Sequence, residues 1–513
     1  MAAKLVRGGF VVTDASKLPN GGLIEQGAVA VEGDRIAAAG SYDELKGRYP
    51  DAEELGSDRH VVIPGLINTH HHGWGLSSLQ LGFTDGYLEA WIPEIWQIKI
   101  VDAYLDTLWG DMRNIRSGVT TLLHAAYGRD WSNYEGETRA KVRGHADSGI
   151  RAAYAVHAID QHTFVYQDDE TFLASLPGGL GDRIKAILGE MNPAGSDDFF
   201  TLTERLNDEY ADHPRITIMM CPIAPQWCSD GLLGRIRERA TDWDMAIHLH
   251  CLESPYQREF GLRSYGTTTV DHLREIGFLG PKVSFGHAVW MTERDMDICA
   301  DTGTSVCHNP SSNLRLRVGI LPAARLLEKG VNVSIGMDGT TINDDEDMLQ
   351  ELRLAAKLHR LPRGLEHTPA PSSFDVLAMG TANGARSLAM EGSIGKLEPG
   401  FKADVVLVDA EPATKPYLDP RVHIVDAVLY RARGMDVDTV LIDGEVVLRD
   451  KAFVSLNEND IVQQLVASAE AEPSPLAARW NQALQELQPH VARFYERWEM
   501  PAYEPCYTVN SLS

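Results

Sequence analysis

The chain has 513 residues and a formal net charge of −26, room for one large domain and a smaller one. With 44% hydrophobic and 23% charged residues it reads as globular, not disordered. So acidic a surface repels phosphate backbones and anionic lipid, which argues against nucleic acid and membrane surfaces as partners.

The N-terminal stretch from Met1 to Val12 lacks the long apolar core of a signal peptide. No uninterrupted apolar run approaches the roughly 20 residues that span a bilayer. The six cysteines (Cys221, Cys228, Cys251, Cys299, Cys307, Cys506) show no paired spacing, which fits a reducing cytoplasm. None forms a CxxC pair, so any metal site must rest on histidines and carboxylates.

Short β-rich runs come first: Phe10 to Thr13, Ala28 to Val31 and Arg35 to Ala39, parted by turns such as Glu32-Gly33-Asp34. The same texture returns at Ala403 to Val408, Val437 to Ile442 and Glu445 to Leu448. Two β-rich ends around a long middle predict one small satellite domain built from both termini, residues 1–63 and 395–455. The middle, 64–394, alternates strand-like runs with helical stretches. Strands are predicted at Val61 to Thr69, Val119 to His124, Arg151 to Val156, Ile216 to Met220, Met245 to His250, Val283 to Phe285, Thr304 to Cys307 and Val331 to Gly336. Helical patterns such as Tyr104 to Ser117, Leu232 to Thr241, Glu293 to Thr302 and Leu321 to Lys329 lie between them. Eight such units make an α/β chain that closes into a (β/α)8 barrel; a doubly wound open sheet is the rival. Residues 456–513 read as a helical extension, broken at Pro473-Ser474-Pro475, with a tail carrying Trp498, Tyr503 and Tyr507.

Histidines and acids gather at the C-terminal ends of the predicted strands, the face that carries the active site in a parallel barrel. Alternate side chains on a strand share a face. His70 and His72 can therefore hold one ion between them, with His71 turned away as a wall residue. At the fifth strand end, His248 and His250 share a face. His250 lies nearer the end and is the preferred ligand, with His248 one layer deeper. Glu253 follows just past that strand, His287 ends the sixth, and Asp338 ends the eighth. Neutral imidazoles and a carboxylate suit Zn²⁺ or Fe²⁺ alike, with an open position for water, and Zn²⁺ is the expected ion. The metal draws the water's pKa toward about 7. Glu253 is placed to protonate a leaving nitrogen, Asp338 to accept the water's proton, and His287 to hydrogen-bond the nucleophile or substrate. Trp74, Trp91 and Trp227 are candidates to stack on a flat ring. Glu89 and Gln226 are candidates to recognise ring nitrogens. The run Asn343-Asp344-Asp345-Glu346-Asp347 reads as a helix N-cap, with Asn343 or Asp344 as alternatives facing the pocket.

The motifs, in chain order, are Pro64 to His72, Arg116 to Thr121, His250-Cys251-Leu252-Glu253, Gly286-His287, His308 to Asn313, Gly336 to Gly339, Thr381 to Ala385 and Gly395 to Val406. With these motifs the chain resembles the amidohydrolase superfamily over nearly its whole length. Within it, the branch is that of S-adenosylhomocysteine, guanine and 8-oxoguanine deaminases and the triazine hydrolases. The resemblance implies a distorted barrel with a β-sandwich-like domain, and one divalent metal held by His70, His72, His250 and Asp338. It implies Glu253, His287 and Asp338 as catalytic groups. Binuclear relatives carry a lysine on the fourth strand; Ile216 to Met220 has none, and Lys185 reads as structural. The Pro-His-Ala/Ser-Pro pattern usual after the fourth strand in S-adenosylhomocysteine deaminase-like proteins is replaced by Pro222-Ile223-Ala224-Pro225, which counts against a nucleoside substrate. The expected activity is hydrolytic deamination of an aminated N-heterocycle (purine, pterin or triazine). The alternative is displacement of chloride or alkylamine from a triazine, or cleavage of a cyclic amide or urea. A homodimer is the default assembly.

Overall fold

The computed structural model describes residues 3–97, 99–343, 345–360 and 370–501. Sixteen strands are described, divided between two sheets.

The first sheet joins the two ends of the chain. Its strands are β1 (Lys4–Val12), β2 (Leu23–Glu32), β3 (Arg35–Ser41) and β4 (Glu53–Pro64). They are completed, after the barrel strands β5 to β12, by β13 (Val405–Asp409), β14 (Val437–Ile442), β15 (Glu445–Arg449) and β16 (Ala452–Phe453). The spatial order is β16-β15-β14-β13-β4-β1-β2-β3. The N-terminal and C-terminal halves meet where β4 pairs with β13, Val62 opposite Leu407. Val62, Val405 and Leu407 are fully buried there, so neither terminal half completes its core alone.

The second sheet is the barrel: β5 (Leu66–His71), β6 (Val119–Ala125), β7 (Arg151–Ala158), β8 (Ile216–Pro222), β9 (Ile247–Cys251), β10 (Val283–His287), β11 (Ser305–His308) and β12 (Val333–Ile335). All adjacent pairs are parallel and follow chain order. Closure comes from β5 and β12, where Asp338 N–H donates to His70 O at 2.8 Å and Thr69 Oγ1 to Ile335 O at 2.9 Å. Strands buried on both faces are the mark of a parallel sheet covered by helices, and β5, β6, β9, β10, β11 and β12 are buried throughout. The alternation of strands and helices therefore resolves into a barrel rather than an open sheet.

One predicted strand was really two. The run from Val61 to Thr69 divides at Gly65: Val61 to Pro64 belongs to β4, and the barrel begins at Leu66. Proline and glycine together let the chain leave one sheet for the other. A Cβ on Gly65 would lie 2.0 Å from Thr120 Oγ1, so the crossing admits no side chain.

The two sheets are riveted at the start of β7. Arg151 reaches Asp404 at 3.1 Å and Asp443 at 2.7 Å, all buried. Gly65 N–H donates to Asp404 O at 2.9 Å in the same place. The extension supplies two helices, Glu458–Glu470 and Pro475–Glu496, parted at the predicted prolines. The longer one packs Leu484, Leu487 and Val491 among Leu88, Trp91 and Ile95, forming an apolar roof over one side of the barrel mouth. Trp498 edges onto Tyr166 and Tyr256 beside it; Tyr503, Cys506 and Tyr507 lie outside the described residues.

Removing a charge from a buried network leaves its partners uncompensated, at a cost of about 3–5 kcal/mol. Arg151→Ala is therefore expected to lower the free energy of unfolding by about that much. Urea titration checks this, and a loss under about 1 kcal/mol would contradict the riveting role.

Candidate active site

Four barrel strands bring His70, His72, His250, His287 and Asp338 to one point at the C-terminal mouth. The nearest ligand atoms of His70, His250, His287 and Asp338 all lie within 4.8 Å of one another. His72 joins them, its Nε2 3.1 Å from Asp338 Oδ1; His70 Nε2 is also 3.1 Å from that oxygen.

The opposite nitrogen of each ring fixes the tautomer. His72 Nδ1 lies 2.7 Å from Ala125 O, and His250 Nδ1 lies 2.8 Å from Ile223 O. A backbone carbonyl can only accept, so both Nδ1 atoms carry a proton and Nε2 is the nitrogen each ring offers to a ligand. His70 Nδ1 lies 2.7 Å from His248 Nε2, and His248 Nδ1 lies 2.8 Å from Ser284 Oγ. With His248 Nε2 as the acceptor from His70 Nδ1, His70 Nε2 is left bare as well. Burial holds His70 and His250 well below the usual imidazole value, so both rings are neutral.

Lone pairs facing a carboxylate repel one another unless a cation lies between them. His70 Nε2 and Asp338 Oδ1 are both buried without a hydrogen-bond partner, although 3.1 Å apart. Three imidazoles and a carboxylate are the donor chemistry of a divalent transition ion. The residues present fit such an ion.

Other groups hold the cluster in place. Ser312 Oγ donates to Asp338 Oδ2 at 2.5 Å. His287 Nδ1 lies 2.9 Å from Asn313 Oδ1, leaving Nε2 turned toward Asp338 Oδ2 at 3.7 Å. Asp338 and His287 have φ of 65° and 68°, and Leu252, just before Glu253, has φ of 49°. Side chains rarely adopt this left-handed region, and the strain marks strand ends bent to aim a group. Glu253 is buried, with Oε1 3.7 Å from His287 Nδ1. Burial first, then the Asp338 and Glu89 charges, push its carboxyl well above the usual value.

The cavity over the cluster is lined by His72, His250, Glu253, His287 and Asp338 on the polar side. Trp74, Trp91, Trp227, Tyr127 and Ile223 are among its apolar walls. The three tryptophans singled out for stacking thus border the cavity. Trp74 sits 5.4 Å from His72, centroid to centroid, with the buried Arg129 guanidinium 4.1 Å from its ring centroid. Two other candidates lie off the wall. Gln226 is buried in the turn Pro225–Trp227, where its carbonyl lies 2.9 Å from His162 Nδ1. Glu89 is buried behind the wall, accepting from Ser254 Oγ and, at 3.2 Å, from Tyr166 OH. Burial raises its pKa to about 7. His71 turns away from the cavity and pairs with Glu346 at 3.0 Å. Asp347 caps the following helix by accepting from Gln350 N–H at 3.1 Å, and Asn343 binds Ser311 and Glu351. Asp344 lies outside the described residues. Lys185 pairs with Glu170 on the surface.

Sequence reasoning assigned no role to Ser312, Asn313, Ala125 or Ile223. The first two lie within the motif His308 to Asn313; the last two act through backbone carbonyls, which no side-chain pattern reveals.

Residues 61–447 match the family described as Amidohydrolase family. The chain belongs to that family. A second match, to an imidazolonepropionase-like composite domain of bacteria, covers residues 27–52. A 5'-deoxyadenosine deaminase from Methanosarcina mazei is 31% identical across 94% of this chain and 100% of its own. Among solved structures, an adenosine deaminase from Xanthomonas campestris with bound zinc shares the fold at a TM-score of 0.76 and 24% identity, covering 94% of this chain and 98% of its own. A triazine hydrolase from Arthrobacter aurescens does so at 0.77 and 20%, covering 92% and 100%.

An ion that binds only the folded amidohydrolase stabilises it by mass action, about 2.7 kcal/mol at a hundredfold excess over its Kd. Adding Zn²⁺ to chelator-treated protein is therefore expected to raise the thermal midpoint, and Asp338→Asn to remove most of that rise. A midpoint indifferent to Zn²⁺ in the unaltered chain would show that the donor cluster holds no ion.

Proposed function

We propose that this amidohydrolase is a hydrolytic deaminase of a flat, aminated N-heterocycle of the purine type. The observation that carries the reading is the focus of imidazole nitrogens on Asp338, set beside the buried Glu253 carboxyl and walled by indole rings. The deaminase activity named for the Methanosarcina relative supports it.

His70, His72, His250 and Asp338 would hold one divalent ion, Zn²⁺ by preference and Fe²⁺ as the alternative. When bound, that ion supplies Lewis-acid activation of water near neutral pH. The remaining chemistry belongs to the chain. Trp74, Trp91 and Trp227 confine a planar ring at the barrel mouth. Asp338 Oδ2, oriented by Ser312, accepts a proton from the attacking water. Glu253 starts as the acid and delivers its proton to the substrate nitrogen, since an amide anion is too poor a leaving group to depart unprotonated. His287, held by Asn313, keeps a second nitrogen within reach of the water or the ring. The balance is one water consumed, a carbon–nitrogen bond broken, a carbon–oxygen bond formed and one ammonia released.

Ile223 makes the wall after β8 apolar, where S-adenosylhomocysteine deaminase-like proteins usually place a histidine, so the substrate panel should include bare rings as well as nucleosides. Purified enzyme offered aminopurines, adenine nucleosides, pterins and aminotriazines is expected to release ammonia from at least one. Product mass separates ammonia loss from loss of chloride or alkylamine, and ammonia release from none of the panel would refute deamination. Glu253→Gln removes the acid and is expected to lower kcat by about 10²–10⁴ while bound metal stays. Steady-state kinetics with elemental analysis checks this; a variant within about twofold of the parent rate would exclude Glu253 as the acid.

A further inference from the structure

The cavity over the cluster adjoins two further spaces. Tyr127, Ile223 and Trp227 line both it and a small adjoining passage. Gly128, Trp131, His157, Ile159 and Thr163 in turn line both that passage and a larger chamber of about 400 Å³. The three spaces follow one another from Asp338 outward, between the loops after β6 and β7. The passage is framed by Trp96, whose Nε1 donates to Tyr127 OH and whose ring packs edge-on against Trp131 at 5.4 Å. Gly128 keeps it open: a Cβ there would meet His157 Cε1 at 3.3 Å and Glu137 Oε2 at 3.4 Å.

The chamber's lining has a definite chemistry. Trp131, Tyr134 and Phe199 give aromatic walls. Its ionisable side chains other than tyrosine and histidine are Asp130 and Asp160, and no lysine or arginine lines it. His157 stands on the wall shared with the passage, its Nδ1 buried without a hydrogen-bond partner. That ring is held neutral by burial, with a pKa lowered to about 4, so it can meet a donor or an acceptor without adding positive charge. A volume of this size falls within the range that holds small organic ligands, and far exceeds what a single water needs.

We propose that this chamber is a second substrate subsite, taking an aromatic or apolar arm, uncharged or cationic, carried on the heterocycle that reacts at Asp338, and that it rejects arms ending in carboxylate or phosphate. The link to turnover rests on the deaminase reading; occupancy of the chamber does not. The carboxylates repel an anionic end, the rings pack an aromatic one, and His157 Nδ1 supplies one polar contact. Through the passage, the arm selects which aminated rings are held long enough to react.

Two arms of one experiment separate these statements. Calorimetry with phenethylammonium and with 3-phenylpropionate, on the full chain, is expected to show at least tenfold tighter binding of the cation. Trp131→Ala, which removes a wall, and Thr163→Trp, which fills the space, are each expected to weaken the cation at least tenfold. Equal binding of the two probes, no binding of the cation, or unchanged affinity in both variants overturns the subsite. The kinetic arm compares a bare aminopurine with the same ring bearing a phenylalkyl arm. In Thr163→Trp the ratio of kcat/KM, armed over bare, is expected to fall at least tenfold, and an unchanged ratio overturns the link to specificity. If neither ring is deaminated by the unaltered enzyme, the deaminase reading fails and the binding arm still decides the chamber.

Discussion

The structure turns on how three imidazole protons are held away from one point. Ala125 O, Ile223 O and His248 each engage the far nitrogen of a ring, so His72, His250 and His70 turn their other nitrogen toward one cluster, in which His72 Nε2 and His70 Nε2 each lie 3.1 Å from Asp338 Oδ1. Two of those acceptors are main-chain carbonyls, fixed by the barrel itself, and no rotamer change can reverse their role. Converging lone pairs against a carboxylate is a costly arrangement, and the strand ends that produce it carry further strain in the left-handed φ of His287 and Asp338. A protein retains such a cluster where a cation repays it.

The rest of the fold serves that point. Barrel closure is made where the site is made, since Asp338 N–H bonds to His70 O across the β5–β12 seam. The composite sheet grips the opposite face through Arg151, Asp404 and Asp443, leaving the mouth free for chemistry. Over the mouth, the helix Pro475–Glu496 and the tryptophan-bearing helix Leu88–Ile95 form an apolar roof. Beneath that roof the Glu253 carboxyl is buried, and burial pushes its pKa well above the usual value.

Much of this was legible in the order of residues. Period-two alternation placed His70 and His72 on one face and set His71 apart, where the structure pairs it with Glu346. The same rule put His248 a layer below His250, where it supports His70. What periodicity hid was of two kinds. The continuous apolar run from Val61 to Thr69 conceals a change of sheet, because buried strands of either sheet look alike and only Pro64-Gly65 marks the crossing. Loop residues carry no period at all. Gln226 and Glu89 are not among the residues that line the cavity, while Ser312, Asn313 and the aromatic passage depend on where loops distant in sequence fold back. Carbonyl groups that fix the tautomers belong to the backbone and leave no trace in residue identity.

The most direct test is a crystal structure of the metal-loaded protein, with anomalous differences collected on both sides of the zinc and iron absorption edges. A single anomalous peak bonded to Nε2 of His70, His72 and His250 and to a carboxylate oxygen of Asp338 is the predicted result. An ion bonded through Nδ1, or no peak among these side chains in protein loaded with metal, would contradict the tautomer geometry on which the account stands.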